Sequence, residues 1–326
     1  MRLSDNTSDY ERIISRFIEN DVDTIRFNIT RYSHEKYWND IKLIRDIYNS
    51  NNQKVNIMLD IPCPGNKFRS RVHNKLNITA GCIYYFSSKE CTDDSIYVPQ
   101  EIIDAAKIDS TIMIGDGELA FKIIGVTPTC LKVAALNSES LYNGRAVYIE
   151  NFSNYYYNEY SEEEYNELMR QVQPEYVVLS FAENPEQILS ISERINSAVE
   201  HQPIIISKVE TSLGAAQIVS LLTVSDAIMI GRGDMAMTSN PANLGNMQDN
   251  IIKVCRDCQK PVYVATDILN SMLSSYVPRR SEIIDVHHTI NMSASGIVLS
   301  AALSINENFP HAVSLIKAIA NLRKSQ

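Results

Sequence analysis

The chain has 326 residues, a length that suits two domains or one αβ barrel of roughly 250 residues carrying an insertion. Hydrophobic residues make up 44% and charged residues 21%, enough for a full core. The net charge of −9 and isoelectric point of about 5.3 argue against a protein held to nucleic acid or an anionic membrane by bulk charge. A small anionic substrate remains open, since it needs only a few local cations. No apolar run nears the ~20 residues of a membrane span. The opening MRLSDNTSDYERII has no apolar signal core, so a cytoplasmic location is expected.

The first expected element is a short or missing strand at 1–4, followed by an amphipathic helix over 8–20. The run TIRFN (Thr24–Asn28) is apolar enough for a buried strand, and 34–49 has helical periodicity. VNIMLD (55–60) is the next strand. After an interruption, the alternation resumes with a helix over 162–173, strand YVVLS (176–180) and a helix over 185–199. Then come strand IIISK (204–208), helix 215–222, strand AIMIGRGD (227–234), helix 243–258, strand VYVAT (262–266), strand GIVLS (296–300) and a last helix over 309–323. In that helix Phe309, Ala312, Val313, Leu315, Ile316 and Ile319 recur at helical spacing. Runs that are apolar throughout suit parallel strands covered on both faces. Strand–helix alternation predicts an α/β fold. Seven strands plus the short first one favour a (β/α)8 TIM barrel over an open sheet.

The interruption, from about 70 to 150, has a different texture. KLNITAG, CIYYFSS, DSIYVPQ, STIMIGDGELAFKIIG, CLKVAALN and RAVYIE are short runs separated by turn residues. Asp116 and Gly117 form a strong hairpin signal. A small antiparallel β domain inserted into the barrel is expected, giving 1–69 and 151–326 to the barrel and 70–150 to the insertion. Tyr155, Tyr156 and Tyr157 read only as a local aromatic cluster where the chain returns. The six cysteines are scattered, and a chain of this length needs no disulfide staples. Cys255 and Cys258 form a C-x-x-C with no second pair to complete a zinc site, and they read as two helix cysteines.

The strand ends of such a barrel gather Arg26, Asn28, Asp60, Lys208, Glu210, Arg232, Asp234, Thr266 and Ser300 at one mouth. Each has an ordinary reading alone: a lysine there is often a snorkelling rim residue, and an aspartate after glycine is often a helix cap. The set is more specific. Glu210, Asp234 and Lys208 come from neighbouring strands, with arginines opposite. Two carboxylates sharing one ion with substrate oxygens commonly hold Mg2+. Lysine and arginine beside them would meet a phosphate or an enolate. The glycines of GRGD, Gly231 and Gly233, let the backbone approach a ligand, and its amides could hold a carboxylate or phosphate.

Several ordered motifs carry a resemblance. They are RFNIT (26–30), LDIPCPGNKFR (59–69), IGDGELAFKI (114–123), IISKVETSLG (205–214), SDAIMIGRGDMAM (225–237), KPVYVATDILNSM (260–272), PRRSEIIDV (278–286) and IVLS (297–300). On these the chain resembles the pyruvate kinase family over nearly its whole length, without that family's C-terminal regulatory domain. The resemblance implies that the inserted β domain is a lid. It also implies Lys208 stabilising charge on the transferring phosphoryl and the enolate oxygen, with Arg26 and Arg69 on the phosphoryl group. Glu210 and Asp234 would hold Mg2+ or Mn2+. Thr266 would stand near the enolate carbon, and the amides of Gly231, Arg232, Gly233 and Asp234 would bind the substrate carboxylate. Asn28, Thr30, Asp60 and the Ile61 carbonyl correspond to the family's monovalent-cation site. Lys67 stands where some members carry glutamate and others lysine. The lysine type is associated with independence from K+, so K+ is expected to be dispensable, with the ammonium beside Asp60 and Arg69.

The departures concentrate at the expected nucleotide end. The family's S-G-E-T after the last strand is Ser300, Ala301, Ala302 and Leu303 here, so its acidic residue is lost, and a histidine of the family is Arg31. The leading expectation is transfer of the phosphoryl group of phosphoenolpyruvate to ADP, giving pyruvate and ATP in glycolysis. The alternatives are metal-dependent enolate chemistry on a pyruvate-like substrate (aldolase, lyase or decarboxylase), transfer to another acceptor in a specialised pathway, and a non-catalytic binding or regulatory relative. The expected partners are a small anionic substrate and further copies of the same chain, with the nucleotide left open. No nucleic acid, membrane or sugar-phosphate effector is expected.

Overall fold

A computed structural model describes residues 7–29, 34–62, 65–89, 95–115, 117–149, 152, 155–157 and 162–324. Seven apolar runs form strands β1 (Thr24–Asn28), β2 (Asn56–Ile61), β3 (Tyr176–Leu179), β4 (Ile204–Val209), β5 (Ala227–Gly231), β6 (Val262–Ala265) and β7 (Gly296–Val298). They pair in parallel, in that order, as one sheet. Helices return the chain between them: His34–Ser50, Glu162–Val172, Pro185–Ala198, Ile218–Val224, Leu244–Asp257 and Arg280–Asn291, with Thr7–Glu19 before β1 and Phe309–Lys324 after β7. The short strand expected at 1–4 lies outside the described residues. No helix among the described residues is long and apolar enough to cross a membrane.

The period of two along each strand sorts the side chains. Ile25, Phe27, Ile57, Leu59, Ile61, Val177, Leu179, Ile228, Ile230, Val262 and Val264 join the helices in one continuous core. The alternate positions Met58, Val178, Ile206, Met229 and Ala265 meet one another in a separate inner core. Arg26, Asp60, Ser180 and Lys208 fall in this inner phase, toward the carboxyl ends of β1 to β4. The pleat therefore aims all four at the centre of the curled sheet.

Two expected elements differ. The run 227–234 stops being a strand at Gly231, and Arg232–Thr238 is a helix, so Asp234 is presented from a helical first turn. The helix expected at 215–222 is two short ones, Ser212–Ala216 and Ile218–Val224, because Gln217 leaves helical geometry between them.

A second sheet lies within 70–149. Its strands run in the order Val147–Ile149, Thr111–Ile114, Leu119–Thr127, Cys130–Ala135, Ile83–Ser87 and Ser95–Tyr97. All pairings are antiparallel except the last, which is parallel. The sheet has its own core, built on Phe68, Ile78, Phe86, Ile112, Phe121, Leu131 and Val133. Gly115 and Gly117 turn the expected hairpin at φ +79° and +91°, values that glycine adopts without strain; Asp116 lies outside the described residues. The three tyrosines at the return are more than a cluster. Tyr155–Tyr157 pairs antiparallel with Gly65–Lys67, so outgoing and returning chains form a ribbon. Cys258 caps the helix Leu244–Asp257, and Cys255 is buried in it, as expected of helix cysteines.

Candidate active site

The inner-phase charges of β1, β2 and β4 meet directly. Arg26 donates to Asp60 Oδ2 from Nε at 2.8 Å and also from Nη2. The other oxygen of Asp60 accepts from Ser180 Oγ at 2.7 Å. Lys208 Nζ lies 3.4 Å from Asp60 Oδ2 and 2.8 Å from Glu210 Oε1. Glu210 Oε2 accepts from the Phe181 N–H at 3.1 Å. Asp60, Lys208 and Glu210 are all buried. Glu210 fits here because β5 passes it as glycine: a Cβ on Gly231 would lie 2.6 Å from Glu210 Cγ.

Burial by itself would neutralise these groups, and their mutual charges decide the outcome. Burial works to raise the Asp60 pKa, but Lys208, Arg26 and Ser180 hold it below the usual carboxylate range. Burial works to lower Lys208, but Asp60 and Glu210 hold its ammonium more firmly than in water. Arg26 is likewise held charged against burial by Asp60 and Glu210. Glu210 goes the other way. Burial, with Asp234 and Asp60 nearby, pushes its carboxyl above the ordinary value despite the ion pair with Lys208. Glu210 therefore takes up a proton more readily than an ordinary carboxyl, chiefly because it is buried.

Asp234 is engaged from the opposite side. Lys67 Nζ lies 2.6 Å from its Oδ1 and 2.8 Å from its Oδ2, and Tyr148 donates its hydroxyl to Oδ1. Burial would raise the Asp234 pKa, but Lys67 and Tyr148 hold it low. Arg232 is tied to the wall of the site: it donates to the Thr266 carbonyl at 3.0 and 2.7 Å and pairs with Asp285 at 2.7 Å. This clamp holds Thr266 at φ +79°, an uncommon conformation for a β-branched residue. A cavity of about 630 Å3 opens among Lys208, Glu210, Asp234, Thr266, Arg232 and His288.

A family model described as "Pyruvate kinase, barrel domain" matches residues 3–313. The chain belongs to the pyruvate kinase family. The pyruvate kinase of Thermotoga maritima is 26% identical, over 96% of this chain and 68% of its own length. That of Clostridium perfringens is 27% identical, over 93% of this chain and 65% of its own length. The chain thus spans about two thirds of these relatives, and 54% of the pyruvate kinase of Staphylococcus haemolyticus. In fold it is similar to a crystal structure of a pyruvate kinase from Cryptosporidium parvum, with a TM-score of 0.83 at 21% identity, covering 96% of this chain and 66% of that one.

Of the residues that the pyruvate kinase resemblance singles out, Arg26, Asp60, Lys208, Glu210, Asp234 and Lys67 gather around one mouth. Others stand apart. Arg69 is exposed and donates to the Gly144 carbonyl at 2.8 Å, held there by its backbone bridge to Ala146. Lys67 reaches Asp234 and Tyr148 rather than the expected neighbourhood of Asp60 and Arg69, because Arg26 and Lys208 already cover Asp60. The Ile61 carbonyl accepts from the Ser180 N–H and the Asn28 carbonyl from the Tyr37 hydroxyl; Thr30 lies outside the described residues. Ser180, Phe181, Tyr148 and Asp285 belong to the site but escape the sequence reading. Only Ser180 has a local signal, as the polar residue ending an apolar run in the inner phase.

Proposed function

We propose that this chain transfers the phosphoryl group of phosphoenolpyruvate to a nucleoside diphosphate, ADP in the first instance, leaving pyruvate. The observation that carries the reading is the buried Lys208 ammonium, held between Asp60 and Glu210 at the edge of the cavity and beside Asp234. An ammonium fixed there needs no reorganisation as negative charge develops on a phosphoryl or enolate oxygen. Arg26 adds a second fixed cation, and its pairing with Asp60 sets its direction. Thr266, presented by the Arg232 clamp, is the residue we place nearest the enolate carbon. The insertion at 70–150 acts as a lid over a barrel made of 1–69 and 151–326. The working protein is a cytoplasmic homo-oligomer.

Glu210 and Asp234 are the residues that would hold Mg2+ or Mn2+. Among the described residues no group of three or more His, Cys, Asp and Glu is arranged for a metal, and a pair suits Mg2+, which commonly takes one or two carboxylates with waters and substrate oxygens. Glu210 and Asp234 line one cavity, and that shared exposure to the same space supports the fit. A bound divalent ion supplies charge neutralisation at the phosphoryl oxygens.

One observation favours a narrower reaction. Ser300, where the family's S-G-E-T begins, caps the helix Ala301–Ile305, and no acidic residue follows it there. The same cluster without a nucleotide would run enolate chemistry alone. Turnover of phosphoenolpyruvate with Mg2+ and ADP, GDP or no nucleotide separates the readings. Nucleotide-dependent pyruvate release supports the proposal. Nucleotide-independent consumption means that the phosphoryl group passes to water and is released as phosphate, which rejects the nucleotide as acceptor. No turnover under any condition rejects phosphoryl transfer, and exchange of the pyruvate methyl protons with solvent then tests the enolate reaction by itself.

A further inference from the structure

Tyr148 belongs to the second sheet, on strand Val147–Ile149, yet its ring is buried and its hydroxyl ends on a carboxylate of the barrel. It donates to Asp234 Oδ1, and it accepts from Lys67 Nζ at 3.2 Å. Lys67 in turn touches both oxygens of Asp234, so tyrosine, lysine and aspartate close a three-membered ring of contacts. A second approach lies nearby: a Cβ on Gly117, in the hairpin turn of the same sheet, would come within 3.2 Å of Met237 Sδ on the helix that carries Asp234. The sheet thus meets the helix Arg232–Thr238 at two places, and one contact falls on the carboxylate assigned to the divalent cation. A carboxylate oxygen has about two acceptor directions. Oδ1 takes both Tyr148 and Lys67, which orients Asp234, and Oδ2, which takes Lys67, keeps a direction for an ion. Partners behind a ligating group commonly set its orientation and tune its affinity.

We propose that Tyr148 is a positioning residue for the divalent cation, fixing Asp234 and making cation affinity depend on the second sheet being seated against the barrel. The inference rests on the assignment of Glu210 and Asp234 as the cation pair. It requires no change at Lys208 or Thr266, so its signature is separate from phosphoryl transfer.

The test is Mn2+ titration followed by electron paramagnetic resonance, without substrate, on the native protein and on Tyr148→Phe, Tyr142→Phe and Asp234→Asn. Tyr142 is an exposed tyrosine of the same region and serves as the control. The expected result is about 10–100-fold weaker Mn2+ binding in Tyr148→Phe, no change in Tyr142→Phe, and loss in Asp234→Asn. Unchanged affinity in Tyr148→Phe, with loss in Asp234→Asn, overturns the role of Tyr148 and leaves the cation pair intact. Retained affinity in Asp234→Asn, or no Mn2+ binding by the native protein, overturns both. A measurement on the native protein covers the case in which Tyr148→Phe does not fold. Mn2+ should slow amide hydrogen exchange in strands Thr111–Ile114 and Val147–Ile149, and a purely structural Tyr148 predicts identical exchange with and without the ion.

Discussion

Replacing Lys208 by methionine keeps most of the side-chain volume and removes the charge. In the folded protein Lys208 is 8% exposed, and its Nζ faces Glu210 at 2.8 Å and Asp60 at 3.4 Å. After the change Asp60 still has Arg26 and Ser180, whereas Glu210 retains the Phe181 N–H. Stranding one member of a buried pair costs about 3–5 kcal/mol. Part of this is relieved by proton uptake at Glu210, whose carboxyl already sits above its ordinary range. The loss should therefore approach ~3 kcal/mol near neutral pH and shrink on mild acidification. Turnover should fall separately by about 10²–10³, the usual effect of deleting one electrostatic contact to a developing charge. Chemical denaturation across a pH series reads the first effect, and a coupled pyruvate assay on the folded fraction reads the second. A rim lysine would give less than about 1 kcal/mol and near-normal turnover. Parent-rate turnover by Lys208→Met would refute the reasoning, since the central cation would then have no part in the chemistry.

Gly231→Ala places a methyl 2.6 Å from Glu210 Cγ and 2.9 Å from its Oε1, so Glu210 must move and Mn2+ affinity should drop by at least ~10-fold; an unaltered titration curve would contradict this. Asp60 has a folded pKa below 3.8, so its contribution to stability is present above that value and lost as pH falls through the folded pKa. The stability gap between the native protein and Asp60→Asn should accordingly narrow below about pH 4, and a gap constant down to full acid unfolding would count against the assignment. Arg26 and Lys208 already neutralise Asp60, the carboxylate of the expected monovalent-cation site, so activity in K+-free buffer should match that in K+. Strong stimulation by K+ would show that these two cations do not substitute for the ion.

The barrel and most of its mouth were legible because both follow from local rules. Apolar runs of strand length alternating with amphipathic helices imply a parallel sheet, and the period of two in TIRFN, NIMLD and IIISK separates Ile25 and Phe27 from Arg26, Leu59 from Asp60, and Ile205 from Ile206 and Lys208. Proximity of Arg26, Asp60 and Lys208 is then a consequence of strand phase and parallel order. Direction and partnership were not legible. Arg69 carries the same kind of charge as Arg26, but a strand bridge to Ala146 turns it to the Gly144 carbonyl. Arg232 sits in a ligand-like glycine motif, yet it closes on Thr266 and Asp285, which lies 53 positions away. Tyr148 alternates along an ordinary β-strand, and only the seating of that sheet against the barrel sends its hydroxyl to Asp234, 86 positions on. Periodicity fixes which face of an element a side chain occupies, because it depends on backbone geometry alone. Which of several polar groups on that face meet depends on how separate elements pack, and that information is distributed over the whole chain.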